Sequence, residues 1–273
     1  MPIITLTSDF GETDYLAGAV KGLLLKSFPD GKIVDITHWL DPFNDHKAAH
    51  VVTHSVFHYP DNSYHLILSN LFHEPASHLL LVKYRQQYLL LADNGLITMI
   101  LKTNPEEVVA LPLDPSRKPH LFYFIEVFAN AISLIEQGRK MVEAGMPVST
   151  IKGKNPLRSV ITEEYLDGQI LYVDAFENVV INITREEFDS QRKSRSFKIL
   201  INRHYYLERI HDCYADVAPG EPLALFNAAN YLEIAINKGN AAGLFGLRGY
   251  SEHNKSKYGE SRLSYQMVRV IFQ

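Results

Sequence analysis

Three short strings bring acids, amides and aromatic rings to places where a fold uses them for binding. Asp9 lies in Ser8-Asp9-Phe10-Gly11, directly after the β-branched run Ile3 to Thr7. In open α/β sheets ligands bind beyond the carboxyl ends of the strands, and an acid there can accept two hydrogen bonds from a ribose diol. The competing reading of the same acid is a helix cap or turn residue. Asp93-Asn94-Gly95 follows the apolar run Tyr88 to Leu91 and holds the same topological place. Asp174-Ala175-Phe176-Glu177-Asn178 stands at the junction of two strand-like runs. Its acid, ring and amide offer a cation partner, a stacking face and a hydrogen bond to a purine edge.

Other clusters carry less chemistry. His46, His50, His54 and His58 recur every fourth residue, so on a helix they lie near one face. A pair at that spacing can bind a transition metal, but no Asp, Glu or Cys is placed by sequence to complete a tetrahedral set. No metal site is therefore expected. Cys213 stands beside His211 and Asp212, yet chain neighbours seldom point at one another, which argues against a thiolate nucleophile. Arg192, Lys193, Arg195 and Lys198 read as a solvated basic loop rather than a phosphate site. Gly243, Gly246 and Gly249 have the wrong spacing for a dinucleotide loop. The chain has no P-loop, no G-x-S-x-G, no G-x-G-x-x-G and no H-E-x-x-H.

The elements that must position these residues follow from hydrophobic periodicity. Ile3 to Thr7 reads as a strand, Asp14 to Ser27 as a helix, Lys32 to Ile36 as a strand, Phe43 to His58 as an amphipathic helix and Tyr64 to Leu68 as a strand. This β-α-β-α-β order predicts an α/β N-terminal domain with a mainly parallel sheet. Runs at Leu79 to Val82 and Tyr88 to Leu91 add strands, and Phe122 to Gln137 reads as a long helix ended near Gly138. After Gly145 the texture becomes polar and then strand-rich, which predicts a smaller C-terminal β-barrel or sandwich domain. The expected domains are 1–150 and 159–273.

Composition bounds the partners. The 273 residues carry 27 Lys+Arg against 31 Asp+Glu, a formal charge of −4, so no basic field holds a nucleic acid backbone. Nowhere do about 18 uncharged apolar residues run together, as a membrane span requires. A single cysteine fits a reducing compartment, and the expectation is a soluble cytoplasmic protein that binds neither nucleic acid nor membrane.

Taken together, five blocks in order resemble the S-adenosylmethionine hydroxide adenosyltransferases, relatives of fluorinating and chlorinating enzymes that attack the same substrate. The blocks are Ile4-Thr5-Leu6-Thr7-Ser8-Asp9-Phe10-Gly11 with Asp14 and Lys21-Gly22, Ile33-Val34-Asp35-Ile36-Thr37-His38, and Asp93-Asn94-Gly95-Leu96. Phe176-Glu177-Asn178-Val179 with Asn182 follows, and then Tyr231-Leu232-Glu233-Ile234-Ala235 with Asn237, Gly239 and Ala241-Ala242. The resemblance implies a β-barrel second domain and a homotrimer with its site between subunits. It also implies S-adenosylmethionine as the substrate with no separate cofactor, and displacement at ribose C5′ with methionine as leaving group. By resemblance Asp9 binds the ribose, Phe43 lies near an aromatic that packs on the ligand, and Asp174 meets the methionine ammonium. Phe176 and Asn178 then pack on and hydrogen-bond adenine.

The sequence departs from the family at the water-activating positions. Asn70 stands for an aspartate, Ser77 for an arginine and Tyr123 for a histidine, and neither an amide nor a phenol is a good base at pH 7. Asn70 and Tyr123 are the residues left at the catalytic positions, while His73, Glu74, His78 and Glu126 offer a substitute polar set or an exposed surface. Phe124 replaces a small residue of the nucleophile pocket, which argues against halogenation, and Ala228 and Ala229 match the polar carboxylate clamp. Two functions follow as alternatives. One is hydrolysis of S-adenosylmethionine to adenosine and L-methionine, and the other is adenosyl or nucleoside binding without that reaction.

Overall fold

Alternating strand and helix segments build the first of two units, Met1–Asn155, in the computed structural model of the chain. The structure describes residues 1–72, 78–202, 204–248 and 266–273. The elements in order are β1 (Ile3–Ser8), α1 (Leu16–Ser27), β2 (Lys32–Thr37), α2 (Asp45–Ser55), β3 (Tyr64–Leu68) and β4 (His78–Tyr84). Then come β5 (Gln87–Ala92), α3 (Leu96–Ile100), β6 (Glu107–Pro112), α4 (Leu121–Glu136) and β7 (Met146–Pro147).

The sheet runs β2-β1-β3-β5-β4-β6-β7. Its first four strands are parallel, β1 pairing with β2 and β3, and β3 with β5. The rest is antiparallel, so the mainly parallel sheet expected from sequence is mixed. The cause is local. Only Arg85 and Gln86 join β4 to β5, both with positive φ (50° and 60°), and a two-residue turn of that kind leaves the strands antiparallel neighbours.

β1 has β2 on one side and β3 on the other, so the chain reverses its direction of travel there. Right-handed crossovers then place α1 and α2 on opposite faces. Val20 and Leu24 of α1 join Phe124, Phe128 and Ile132 of α4 in one core, while Ala48 and Val52 of α2 join Leu96 and Ile97 of α3 in another. β3 and β5, covered on both faces, are buried at every position. Ligands bind at the strand ends beside such a reversal, and residue 9 leaves β1 there.

The second unit, Pro156–Gln273, is strand-rich. It contains β8 (Val160–Ile161), β9 (Tyr165–Val173), β10 (Val179–Thr184), α5 (Arg185–Arg192), β11 (Phe197–Leu200) and β12 (Tyr206–Leu207). β13 (Ile210–His211), β14 (Pro222–Phe226), β15 (Tyr231–Ile236), α6 (Ala241–Phe245) and β16 (Met267–Phe272) complete it. Eight strands pair along the path β12-β11-β16-β9-β10-β15-β14-β13, with β8 attached to β9. Where a closed barrel is expected, the pairing among the described residues is an open path.

Helix α5 carries the centre of this unit's core. Phe188 is buried, with ring centroids 5.0 Å from Phe197, 5.4 Å from Phe226 and 5.8 Å from Phe272. In the basic cluster Arg192 and Lys193 are exposed, as a solvated surface requires, and two of its guanidinium groups also cover this group, Arg192 lying 5.0 Å over Phe197 and Arg195 5.0 Å over Phe272. Removing the Phe188 ring leaves a cavity that these aromatics cannot fill. Phe188→Ala is therefore expected to cost about 3–5 kcal/mol, read as a lowered denaturant midpoint. No helix among the described residues is long and apolar enough to cross a membrane.

Candidate functional site

Asp9 follows the last residue of β1 and turns toward the end of β3. Its Oδ2 accepts the Asn70 amide N–H at 2.8 Å and faces the Ser69 hydroxyl at 3.5 Å. Burial raises the carboxyl above its ordinary value, with the Asp45 charge adding to the effect and the Asn70 and Ser69 hydrogen bonds opposing it. Asn70 has a positive φ of 51° and works as a hub. Its side-chain oxygen accepts the Phe43 N–H at 3.1 Å and its amide donates to Asp45 at 2.8 Å. Lys154 completes the group by donating to the other Asp45 oxygen at 2.6 Å. Asp9, Phe43 and Asn70 thus share one loop cluster, and the Phe43 ring is 59% exposed beside it.

The third strand end joins the same cluster. Asn94 donates to the Ser69 carbonyl at 3.2 Å and accepts the Leu96 N–H at 3.1 Å, which caps α3 behind Gly95. Gly95 has φ +91°, a conformation in which a side chain would meet Lys154.

Tyr123 is placed differently. It is buried near the start of α4, and its hydroxyl accepts the Asp114 N–H at 2.6 Å. The Arg117 guanidinium covers its ring at 3.9 Å and pairs with Glu126 at 2.8 Å. The next residue, Phe124, is buried and stacks on Phe72 with centroids 5.1 Å apart, two positions beyond Asn70. His120, which sequence reasoning did not single out, caps α4 by accepting the Tyr123 N–H at 3.2 Å. His78 lies 3.3 Å from Asp93. His73, Glu74 and Ser77 lie outside the described residues.

In the second unit Asp174 organises the turn between β9 and β10. Its Oδ1 accepts the N–H groups of Phe176 and Asn178, each at 2.8 Å, and its Oδ2 accepts the Asn178 side-chain amide at 3.1 Å. The turn leaves Phe176 78% exposed and Asn178 buried. Both line a cavity of about 400 Å³ with Tyr214, Ile236, Asn237 and Lys238. Tyr214 is a further residue that sequence reading missed. Its hydroxyl donates at 2.6 Å to the buried Glu233, which Asn227 also reaches at 3.3 Å. Burial raises Glu233 above its ordinary value, and the nearby Asp174 charge adds to this against the two hydrogen bonds. No spacing rule connects Tyr214 to Phe176, since a separate loop brings it in. An exposed ring, a buried amide and a second ring suit a planar heteroaromatic base.

The remaining motifs lie on α2, in the loop before β14 and at the end of α6. His46, His50 and His54 lie on α2 and His58 in the following turn, with the His50 and His54 rings 4.6 Å apart. Burial lowers all three α2 histidines, His50 to about 3. The exposed Cys213 thiol donates to Asp216 at 3.2 Å. Gly246 ends α6 with φ +63°, and Gly249 lies outside the described residues. One group among the described residues, Glu12, Asp35 and His38, brings three ligand-type atoms within 4.8 Å, but the Lys21 ammonium already neutralises Asp35 at 2.5 Å.

Comparison with known proteins extends the geometry. An (R)-S-adenosyl-L-methionine hydrolase of Methanocaldococcus jannaschii is 24% identical over 253 residues, 89% of this chain and 92% of that one. A fluorinase of Actinopolyspora mzabensis is 23% identical over 286 residues, covering 90% and 94%. The fold is shared with the crystal structure of an uncharacterized conserved protein from Thermotoga maritima, at TM-score 0.79 and 22% identity over 98% of this chain and 99% of that one. Residues 4–145 match the SAM hydroxide adenosyltransferase N-terminal domain and residues 168–253 the C-terminal domain. Because both domains match in order and together span most of the sequence, the chain belongs to the S-adenosylmethionine hydroxide adenosyltransferase family.

Proposed function

We propose that the protein hydrolyses S-adenosylmethionine, water attacking ribose C5′ to give adenosine and L-methionine. The observation that carries this reading is Asp9 at the strand-order reversal, its carboxylate fixed by the Asn70 amide at 2.8 Å, a placement suited to a ribose diol. The Phe176 and Asn178 cavity supports adenine binding, and Asp174 has one lone pair beyond its three turn hydrogen bonds for the methionine ammonium. Phe43 supplies an exposed face beside the ribose site. These half-sites meet across a homotrimer interface, the first unit of one copy facing the second unit of its neighbour.

The chemistry asks little of a base. The C5′–S electron pair stays on sulfur, methionine leaves as a neutral thioether, the C5′–O bond forms to water, and one water proton passes to solvent. Asn70 and Tyr123 stand at the activating positions. The Asn70 side-chain oxygen accepts one N–H and keeps a lone pair for a water proton, and the Tyr123 oxygen accepts the Asp114 N–H and keeps its own proton to donate. Rate then rests on an in-line water at about 3–3.5 Å with bulk water excluded. Water is the nucleophile in this reading, and the buried Phe124 ring stacked on Phe72, where relatives carry a small residue, supports it over a large halide. S-adenosylmethionine is the substrate and no cofactor takes part. The cellular site is the cytoplasm, a reading supported by the single cysteine.

Chromatography of S-adenosylmethionine incubated with concentrated protein tests the reading. Adenosine and methionine are expected in equal amounts, and no release above an Asp9→Ala control overturns it.

A further inference from the structure

The turn that carries Asp9 is held from behind by a chain of polar side chains that the displacement does not use. Ser8 and His38 are both buried, and Ser8 Oγ lies 2.6 Å from His38 Nδ1. On the far side of the ring, Nε2 lies 3.1 Å from Asp35 Oδ1, and the second Asp35 oxygen accepts the Lys21 ammonium at 2.5 Å. Partial burial works to raise the Asp35 carboxyl, but Lys21 and His38 outweigh it and hold it below its ordinary value. An ionised carboxylate only accepts, so Nε2 carries the imidazole proton, and in the neutral ring Nδ1 accepts from the Ser8 hydroxyl.

His38 grips the same turn at two more points. Its carbonyl accepts the Gly11 N–H at 2.7 Å, and its ring stacks on Phe10 with centroids 5.5 Å apart and planes 27° apart. Ser8 returns a further backbone bond, its carbonyl accepting the Leu40 N–H at 3.1 Å. Gly11 allows the sharp reversal with φ +72°, and a side chain there would lie 3.6 Å from the Trp39 ring. The residues on either side of Asp9 are therefore tied to one imidazole, while Asp9 itself is tied forward to Asn70.

We propose that His38 is a positioning residue for Asp9, fixing Ser8-Asp9-Phe10-Gly11 through its Nδ1 bond to Ser8, with Asp35 and Lys21 orienting the ring. The proposal rests on the adenosyl reading above for the identity of the ligand. Its mechanical part stands independently of any ligand.

Two substitutions separate the two ends of the ring. An asparagine amide stands where Nδ1 stands and keeps the Ser8 bond, whereas a glutamine amide reaches Asp35 and loses Ser8. Each variant is examined in three ways: hydrogen exchange of the unliganded protein over residues 8–11, adenosine affinity by calorimetry, and melting temperature. His38→Gln is expected to speed exchange in 8–11 by about tenfold and weaken adenosine by about tenfold, the loss of one buried hydrogen bond. His38→Asn is expected to keep both within about threefold of the unmutated protein on the same grounds.

Unchanged exchange and affinity in His38→Gln overturn the proposal. So does an equal loss of melting temperature in both variants with no difference in their adenosine affinity, since that marks a merely structural role. If His38→Gln does not fold, Ser8→Ala removes only the hydroxyl, and the same two readouts decide. If the unmutated protein binds no adenosine, the ligand assignment fails, while exchange over residues 8–11 still decides whether His38 holds the turn.

Discussion

Asp9→Ala is expected to bind adenosine roughly a hundredfold more weakly, or worse, while melting at the same temperature as the unmutated protein or higher. The affinity loss follows from two charge-assisted hydrogen bonds to a diol, each worth about 1.5–3 kcal/mol. The stability result has the opposite sign because burial raises the Asp9 carboxyl. Between the ordinary aspartate value and the raised one, the folded chain holds a proton that the unfolded chain has released. Stability therefore falls as pH rises across that window and stays lower above it. Alanine removes that cost, which offsets the loss of the acceptor for the Asn70 N–H. On the proposed assignment the diol is bound by the ionised acid, so affinity is expected to fall on acidification at a higher pH than an ordinary aspartate would give. Calorimetric titration with adenosine across pH, beside thermal melts, checks both halves. A variant that binds normally, or one that binds poorly only because it is unfolded, contradicts the assignment.

Asp174→Ala should separate two ligands that share a base. Asp174 accepts three hydrogen bonds within its own turn, so alanine frees both Phe176 and Asn178. Adenosine, which probes only that disorder, is expected to lose about tenfold in affinity, the scale of one to two neutral hydrogen bonds. S-adenosylmethionine carries an ammonium as well and should lose about a hundredfold, the further factor reflecting a charge-assisted contact. Equal losses for the two ligands mean that Asp174 organises the turn and does not meet the ammonium.

Several elements were legible because their residues face one environment along their length. β3 reads directly from Tyr64 to Leu68 because both faces are covered, and α4 from its run of apolar side chains. Helix α5 is not legible by periodicity, since Phe188 is its one buried residue in a stretch of Arg, Glu, Asp and Gln. The available signal is its start, where Thr184 and Glu187 exchange hydrogen bonds in a capping box at 3.2 and 2.7 Å. The β4–β5 turn escapes for a similar reason, because Arg85 and Gln86 adopt positive φ without the Asn-Gly or Asp-Gly pair that usually marks it.

The candidate binding residues of the two units divide in the same way. Asp9 and the 174–178 turn are local, each readable from a strand end and its neighbours. Asp45 and Lys154, 109 residues apart, meet only because α2 and the end of the first unit converge on the Asn70 loop. Tyr214 reaches the Asn178 cavity through the fold of the second sheet and not through spacing, and Glu233 fixes it there. The Ser8–His38 bond has a partial signal. A serine closing a buried strand needs a partner, and the parallel β1–β2 pairing brings the His38 segment alongside.

The most direct measurement is the mass of the products formed from S-adenosylmethionine in ¹⁸O-labelled water. Attack of water at C5′ predicts adenosine carrying one ¹⁸O in its 5′-hydroxyl and methionine with none beyond solvent controls. Adenosine without the label, or label-bearing products from cleavage at another carbon of the sulfonium, contradicts displacement at C5′ by water.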